Sequence, residues 1–432
     1  MGRSGTAALA LADAKGFQAV GIDEGYPSAP EGGWGSPERI SVETRFRGDA
    51  LPDADLAVAS PGLKPNSRLI RLAERLGAPI VDELDFAASH AEAPMVAVTG
   101  TNGKTTVATL AAEILGKGAS AAGNIGRPLS DAVLDTSISA IVVEASSFQL
   151  RRSPSFAPRA AALLNIEQDH LDWHPSMEDY SDAKLGIFAN NAEPRRAIVN
   201  LDLLPLFERG YPERERPVTF SAKDPAADIH IDSAGRLASR TLPLPPVHLP
   251  IGEIRREHDI ENLMAAAALA AAILKPAELA EKLEPAARSF KRPEHRLRSV
   301  AEIGGVEFID DSKATNPAAM AAALRSIEAP VNLVAGGLGK GLDFKEILPL
   351  GGRIKKAFLY GEARGEIERQ WRGGIETEYF DTFEDATLAA AEHAEPGDAV
   401  LLSPGCASMD LFENYKERGL AFQRIVGKLE SY

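Results

Sequence analysis

The chain has 432 residues, enough for roughly two to four domains and a sizeable core without covalent staples. Its formal charge of −15, from 62 acidic against 47 basic residues, argues against a nucleic-acid partner, because a phosphate backbone calls for a basic surface. A lone cysteine, Cys406, excludes an intrachain disulfide, and the longest apolar run, Leu263 to Leu274, is too short to span a bilayer, so neither a disulfide scaffold nor membrane insertion is expected.

Residues 1–91 alternate helical patterns with short apolar runs. Ala7 to Ala14 reads as a helix and Ala19 to Ile22 as a strand ending at Asp23. A second strand is expected at Leu56 to Ala59, a helix at Arg68 to Leu76 and a strand at Pro79 to Val81. This βαβ rhythm implies a parallel sheet. The segment Tyr26 to Ser36, rich in Gly and Pro, reads as a loop. Gly2-Arg3-Ser4-Gly5 reads as the end of a glycine-rich turn, with Asp23 about twenty residues on, as in dinucleotide-type folds. Such a turn follows a strand, and none precedes it here. The expectation is therefore a native start lying upstream, with the first strand missing.

Residues 94–292 open on the most informative stretch. Met95 to Val98 is an apolar run suited to a buried strand, Gly100 and Gly103 supply a turn, and Lys104-Thr105 open a helical pattern to about Leu115. Strand, glycine loop and helix start make a phosphate cradle, with backbone N–H groups and the positive helix end facing the anion. Lys104 is placed to reach the outer phosphates and the Thr105 hydroxyl to hold Mg²⁺. Val98 stands where the usual pattern has its first glycine, so Gly100 must make the turn. Strands are expected at Ala140 to Val143 and Ala160 to Leu164, irregular structure or short strands over 203–256, and a helix from Ile260 to Leu274 that stops before Pro276. Residues 293–432 begin a further α/β unit, with strands at Val306 to Ile309, Val331 to Val334, Ala357 to Tyr360 and Ala399 to Leu402, and a last helix over Glu417 to Leu429. The expected fold is α/β in three domains: a Rossmann-like domain over 1–91, a P-loop ATPase-like domain over 94–292 and a Rossmann-like α/β domain over 293–432.

Three more segments follow expected strands, where open α/β sheets bind ligands. They are Glu144-Ala-Ser-Ser-Phe-Gln-Leu150, Asn165-Ile-Glu-Gln-Asp-His-Leu-Asp-Trp-His174 and Asp310-Asp-Ser-Lys-Ala-Thr-Asn-Pro317. With the phosphate loop and Ser403-Pro-Gly-Cys-Ala-Ser-Met-Asp-Leu-Phe-Glu-Asn-Tyr415, they closely resemble the Mur ligase family over essentially the whole chain. The resemblance implies a cytoplasmic ATP- and Mg²⁺-dependent ligase of peptidoglycan precursor synthesis. Its implied substrates are UDP-N-acetylmuramoyl-L-alanine and D-glutamate, joined through an acyl phosphate.

The resemblance also implies a site. Gly100, Thr101, Asn102, Gly103, Lys104, Thr105 and Thr106 would cradle ATP, with Asn262, Arg296 and Asp310 at adenine, phosphate and ribose. Thr105, Glu144 and His170 would hold magnesium, joined by Lys184 if its amine is carbamylated; Lys104, Glu144, His170 and Lys184 form the implied catalytic set. Arg3, Ser4, Asp23, Ser60, Gly62 and Asn124 would meet the UDP-sugar peptide. Lys313, Thr315, Lys340, Ser408, Met409 and Tyr415 would meet D-glutamate, two lysines answering two carboxylates. Asp259 replaces the asparagine of a family His-Asn pair, exchanging a donor-acceptor amide for an acceptor, and is left out of the site. From the residues alone, Glu144 also reads as a surface ion-pair member, His170 as structural, Lys184 as a solvated helix lysine, Arg296 as part of a basic linker, Asn124 and Lys340 as turn residues, and Met409 and Tyr415 as core. Other family members, a P-loop regulator and a nicotinamide oxidoreductase remain as rival readings. The three-part organisation implies closure about a hinge near 292–296.

Overall fold

The computed structural model describes residues 2–25, 33–169, 173–190, 197–252, 254–291, 294–339 and 342–429. The chain forms two compact units, Met1–Ile166 with Glu178–Lys291, and Glu167–Met177 with Arg292–Tyr432.

In the first unit, β1 (Ala19–Asp23) pairs in parallel with β2 (Ile40–Thr44), Ala19 opposite Ile40. Separately, β3 (Ala57–Ala59) pairs in parallel with β4 (Ile80–Asp82). Among the described residues these strands form two two-stranded sheets rather than one. The helix Arg3–Ala14 buries Leu11, Ala8 and Ala12 in a cluster with Val81, Leu84 and Phe86.

The rest of this unit is a nine-stranded sheet ordered β13-β12-β11-β10-β9-β8-β5-β7-β6. Its strands are β5 (Met95–Thr99), β6 (Ala119–Gly123), β7 (Ala140–Glu144), β8 (Ala160–Leu163), β9 (Ala197–Asn200), β10 (Val218–Phe220), β11 (Ile229–Ile231), β12 (Arg236–Ser239) and β13 (Val247–His248). Pairings from β6 through β11 are parallel, and the last two are antiparallel. Strand β5 is paired on both edges, by β7 and β8, and feeds a core cluster on each face of the sheet, Val96 and Val98 on one side and Ala97 on the other, so it reads as an unbroken apolar run. The helix Lys104–Leu115 buries Val107, Leu110 and Ile114, one stripe at helical spacing, in a cluster with Leu263, Ala266 and Ala270 of the helix Glu257–Ala271. The small alanines thin the side-chain layer between helices. Truncating Leu110 to Ala would cost about 2–5 kcal/mol. The 203–256 stretch resolves into a helix, Leu204–Gly210, and the short strands β10 to β13.

The second unit holds a six-stranded sheet ordered β14-β15-β19-β16-β17-β18. These are β14 (Arg298–Ile303), β15 (Val306–Asp310), β16 (Val331–Gly336), β17 (Ile354–Tyr360), β18 (Thr377–Tyr379) and β19 (Ala399–Leu402). Strands β14 and β15 form an antiparallel hairpin across Gly304 and Gly305, whose φ of 60° and 81° suit a tight turn closed to most side chains. The other pairings are parallel. Asp310 and Val334 both lie opposite Leu402, so the loops leaving β15, β16 and β19 start from one sheet edge. No helix of the described residues is long and apolar enough to cross a membrane.

Candidate active site

The phosphate loop is built by its neighbours. Thr101 N donates to Asn165 O at 2.9 Å and Asn102 N to Asn165 Oδ1 at 2.7 Å, which ties the loop to the segment leaving β8. Gly103 precedes the helix with a φ of +84°, a conformation L side chains rarely adopt. A Cβ at this position would lie 2.5 Å from Asn262 Oδ1. Glycine therefore leaves the concave backbone that an anion needs. Lys104 Nζ donates to Gly100 O at 2.7 Å and Thr101 O at 2.8 Å, so the ammonium is held over the loop it would serve.

Val98 lies opposite Glu144 in the β5–β7 register, which brings the end of β7 beside the cradle. Thr105 Oγ1 donates to Glu144 Oε2 at 2.8 Å, and Asn124 Nδ2 donates to Glu144 Oε1 at 2.8 Å. A hydroxyl and a carboxylate side by side at a phosphate cradle fit Mg²⁺, which takes oxygen ligands, keeps several waters and binds through few protein groups plus phosphates. Asn124 is thus more than a turn residue, since it orients the carboxylate. Lys184 is 2 % exposed and donates to Gly100 O at 2.7 Å. Burial removes the solvated-lysine reading and brings its amine to the phosphate loop. Thr106 is buried. Asn262 is buried against Gly103, while Asp259 Oδ2 accepts from Arg256 N at 3.2 Å and so caps its own helix. Asp23 and Ser60 lie at the carboxyl ends of β1 and β3; Arg3 and Gly62 are exposed and Ser4 is half-buried.

In the second unit, Asp310, the expected ribose contact, closes β15. Asp310 is fully buried: Oδ1 accepts from Ser312 N at 3.0 Å, and Oδ2 faces His295 Nδ1 at 2.7 Å and accepts from Gln423 Nε2 at 2.9 Å. Its carboxylate braces the loop that leaves β15. Next to it, Asp311 accepts from Leu297 N at 3.1 Å and Ser403 Oγ at 2.9 Å, and burial pushes its carboxyl up to about 7. Arg296 is half-buried between the two residues those aspartates hold, His295 and Leu297. Lys313 Nζ sits 3.8 Å from the Tyr415 ring centroid, a cation–π contact that joins two members of the expected amino-acid pocket. Thr315 is half-buried, Ser408 is buried, and Met409 is 57 % exposed, which removes its reading as a core residue. Tyr415 is half-buried. His170 and Lys340 lie outside the described residues. Asp169, directly before His170, accepts from Asn316 Nδ2 at 3.0 Å.

Four contributors are absent from the sequence reading. Asn165 holds the phosphate loop, Tyr180 reaches Thr101 Oγ1 at 3.0 Å and lies 4.6 Å beneath Lys184 Nζ, and His295 and Gln423 hold Asp310. Asn165 opens one of the quoted motif segments and is legible there, whereas Tyr180 and Gln423 sit in helices with no local mark.

A model of the Mur ligase middle domain matches residues 98–270, and one of the Mur ligase glutamate ligase domain matches 295–406. The chain belongs to the Mur ligase family. A relative from Pelotomaculum thermopropionicum, named UDP-N-acetylmuramoylalanine--D-glutamate ligase, is 38% identical over 99% of this chain and 96% of its own length. Another of that name, from Thermoanaerobacter pseudethanolicus, is 33% identical over 99% and 97%. Among solved structures, a pseudomurein peptide ligase type C from Methanothermus fervidus superposes with a TM-score of 0.62 at 16% identity, covering 99% of this chain and 98% of that one. MurF ligase from Thermotoga maritima in complex with ADP gives 0.57 at 19%, covering 87% and 96%. These structures share the α/β fold of this Mur ligase, and its curated relatives make it a ligase.

Proposed function

We propose that this Mur ligase uses ATP and Mg²⁺ to join the carboxylate of UDP-N-acetylmuramoyl-L-alanine to the amine of D-glutamate, in cytoplasmic synthesis of a peptidoglycan precursor. The observation that carries the reading is the Thr105–Glu144 pair set at the mouth of a lysine-bearing phosphate loop, in a chain with full-length relatives of that name. A complex of the Thermotoga maritima MurF ligase with ADP, in a structure of similar fold, supports nucleotide use.

A carboxylate and a triphosphate repel each other, so charge neutralisation and positioning dominate the task. Lys104 and the loop N–H groups hold the outer phosphates. Thr105 and Glu144, with Asn124 fixing the carboxylate, hold the metal, which supplies charge shielding. The substrate carboxylate attacks the γ-phosphorus, the bond to the β-phosphate oxygen breaks, and ADP leaves behind an acyl phosphate. The D-glutamate amine adds to the acyl carbon, loses a proton and expels inorganic phosphate, leaving the amide. Lys313, Thr315, Ser408 and Lys340 supply donors for the two carboxylates of the amino acid, with Met409 and Tyr415 beside them. Arg296 serves the nucleotide phosphates, Asn262 the adenine, and His170 and Lys184 a second metal. Arg3, Ser4, Asp23, Ser60 and Gly62 serve the UDP-sugar, in a first domain distinct from the ATP-binding and amino-acid-binding ones.

The test supplies ATP, Mg²⁺ and UDP-N-acetylmuramoyl-L-alanine and measures phosphate release with D-glutamate, L-glutamate, L-lysine or no amine. Release with D-glutamate alone, with product mass matching the amide, is expected. Release independent of amine would reduce the activity to an ATPase.

A further inference from the structure

Arg418 is fully buried, in the helix Tyr415–Leu429, and no part of the site described above uses it. Its Nε donates to Ser312 Oγ at 3.0 Å, and Nη2 donates to Ser312 O at 2.8 Å and Cys406 O at 3.1 Å. Nη1 donates to Ala407 O at 3.4 Å. A Cβ at Gly337 would lie 3.2 Å from Nη1 and 2.3 Å from Ala407 O, so the loop after β16 packs against the same group. Leu338 N completes the contact by donating to Ala407 O at 2.8 Å. Among the described residues no carboxylate pairs with this guanidinium; its partners are neutral oxygens.

Burying a lone cation is costly, and an apolar side chain of similar volume would fill the space more cheaply. A packing role alone does not call for arginine. What arginine offers is a planar fan of donors, able to hold several acceptors in one geometry. The acceptors here belong to the residues directly before Lys313 and directly before Ser408. Ser312 Oγ in turn donates to Tyr415 O at 2.8 Å, closing the network onto the third pocket member.

We propose that Arg418 is a positioning residue for the acceptor amino acid: its guanidinium locks the loops that carry Lys313, Ser408 and Tyr415 into the spacing that a dicarboxylate requires. This rests on the reading that those residues bind D-glutamate. Lysine cannot replace it, because an ammonium is a point charge and cannot span the same carbonyls.

The experiment measures KM for D-glutamate and for ATP in the wild-type enzyme, Arg418→Ala and Arg418→Lys, with and without guanidinium ion. In Arg418→Ala, KM for D-glutamate is expected to rise at least roughly tenfold and kcat/KM to fall on the order of a hundredfold, as for a displaced substrate-positioning group. KM for ATP should stay within about twofold, and added guanidinium should recover part of the loss. Arg418→Lys, which keeps the charge if the alanine variant does not fold, should raise the D-glutamate KM several-fold. An unchanged D-glutamate KM in the lysine variant, or equal losses on both substrates, overturns the proposal. No amide from D-glutamate in the wild-type enzyme would instead defeat the acceptor reading itself, before any variant is compared.

Discussion

Thr105 Oγ1 and Glu144 Oε2 meet at 2.8 Å although 39 positions separate them in the chain. The meeting follows from strand order: β7 lies beside β5, with Glu144 opposite Val98, so the end of one strand reaches the helix that follows the other. Glu144→Gln keeps the volume and an acceptor for Thr105 but removes the charge that favours a hard dication. The expected outcome is a fall in kcat on the order of a hundredfold or more, with half-maximal activity shifted to higher Mg²⁺. Phosphate release across a Mg²⁺ titration reads both; an unshifted midpoint would count against metal binding here.

Asn124 acts on the same carboxylate through its 2.8 Å bond to Oε1. Asn124→Ala leaves Glu144 charged and still held by Thr105 Oγ1 but without its second tether. The effect should be milder than loss of the carboxylate, roughly tenfold to a hundredfold in activity, as for groups that orient metal ligands. The same Mg²⁺ titration ranks the two variants, and a larger loss for Asn124→Ala would reverse the assigned roles.

Gly103→Ala tests the cradle without removing any functional group. The φ of +84° costs a non-glycine residue about 1–2 kcal/mol, and the new Cβ would press on Asn262 Oδ1 at 2.5 Å. Relief requires the loop or Asn262 to move, and either motion spoils the backbone concavity. Calorimetry should show nucleotide affinity lowered by at least about tenfold, with a melting temperature lower by a few degrees. Wild-type affinity in this variant would mean that the loop is not the anion site.

Lys184 donates to Gly100 O at 2.7 Å from a buried position, so its removal leaves a loop carbonyl without that donor. If its amine carries a carbamate in the working enzyme, Lys184→Ala loses that carboxylate as well. Activity should fall at least roughly a hundredfold. Short carboxylic acids such as acetate should restore part of it by occupying the space. Full activity in the variant removes both roles.

The features legible in the sequence are those where local chemistry and tertiary position agree. Met95 to Thr99 is a covered strand because Val96 and Val98 enter the core on one face of the sheet and Ala97 enters the core on the other, and an apolar run says as much. Lys104 opens a helix because glycine ends the loop before it. The last helix starts at Tyr415 rather than near Glu417, because Asn414 Oδ1 accepts from Lys416 N and Glu417 N and caps an earlier turn. Strands β2 and β14 carry polar, largely exposed faces, and only pairing partners distant from a local reading define them. Asp310 carries the same lesson within the site. A strand-end carboxylate stands out in the sequence, but its partners His295 and Gln423, one across the hairpin and one in the last helix, are set by tertiary packing that no local pattern carries.

Two buried aspartates give the chain a predictable pH response. Asp82 is fully buried, with Oδ1 accepting from Leu84 N at 3.0 Å, and burial pushes its carboxyl up to about 7. Asp311, held by Leu297 N and Ser403 Oγ, is pushed up to about 7 by the same cause. In an unfolded chain both would titrate near 3.9. Between those values the folded protein binds more protons than the unfolded one, so stability declines as pH rises through that window. The contribution is full below about pH 4 and lost above about pH 7. Together the two sites should weaken the fold by an order of a few kcal/mol between pH 5 and 8. Thermal melts at those two pH values should show the lower melting temperature at pH 8. Asp82→Asn and Asp311→Asn mimic the protonated forms, so each should flatten the difference; a pH slope unaltered in both variants would assign it to other groups.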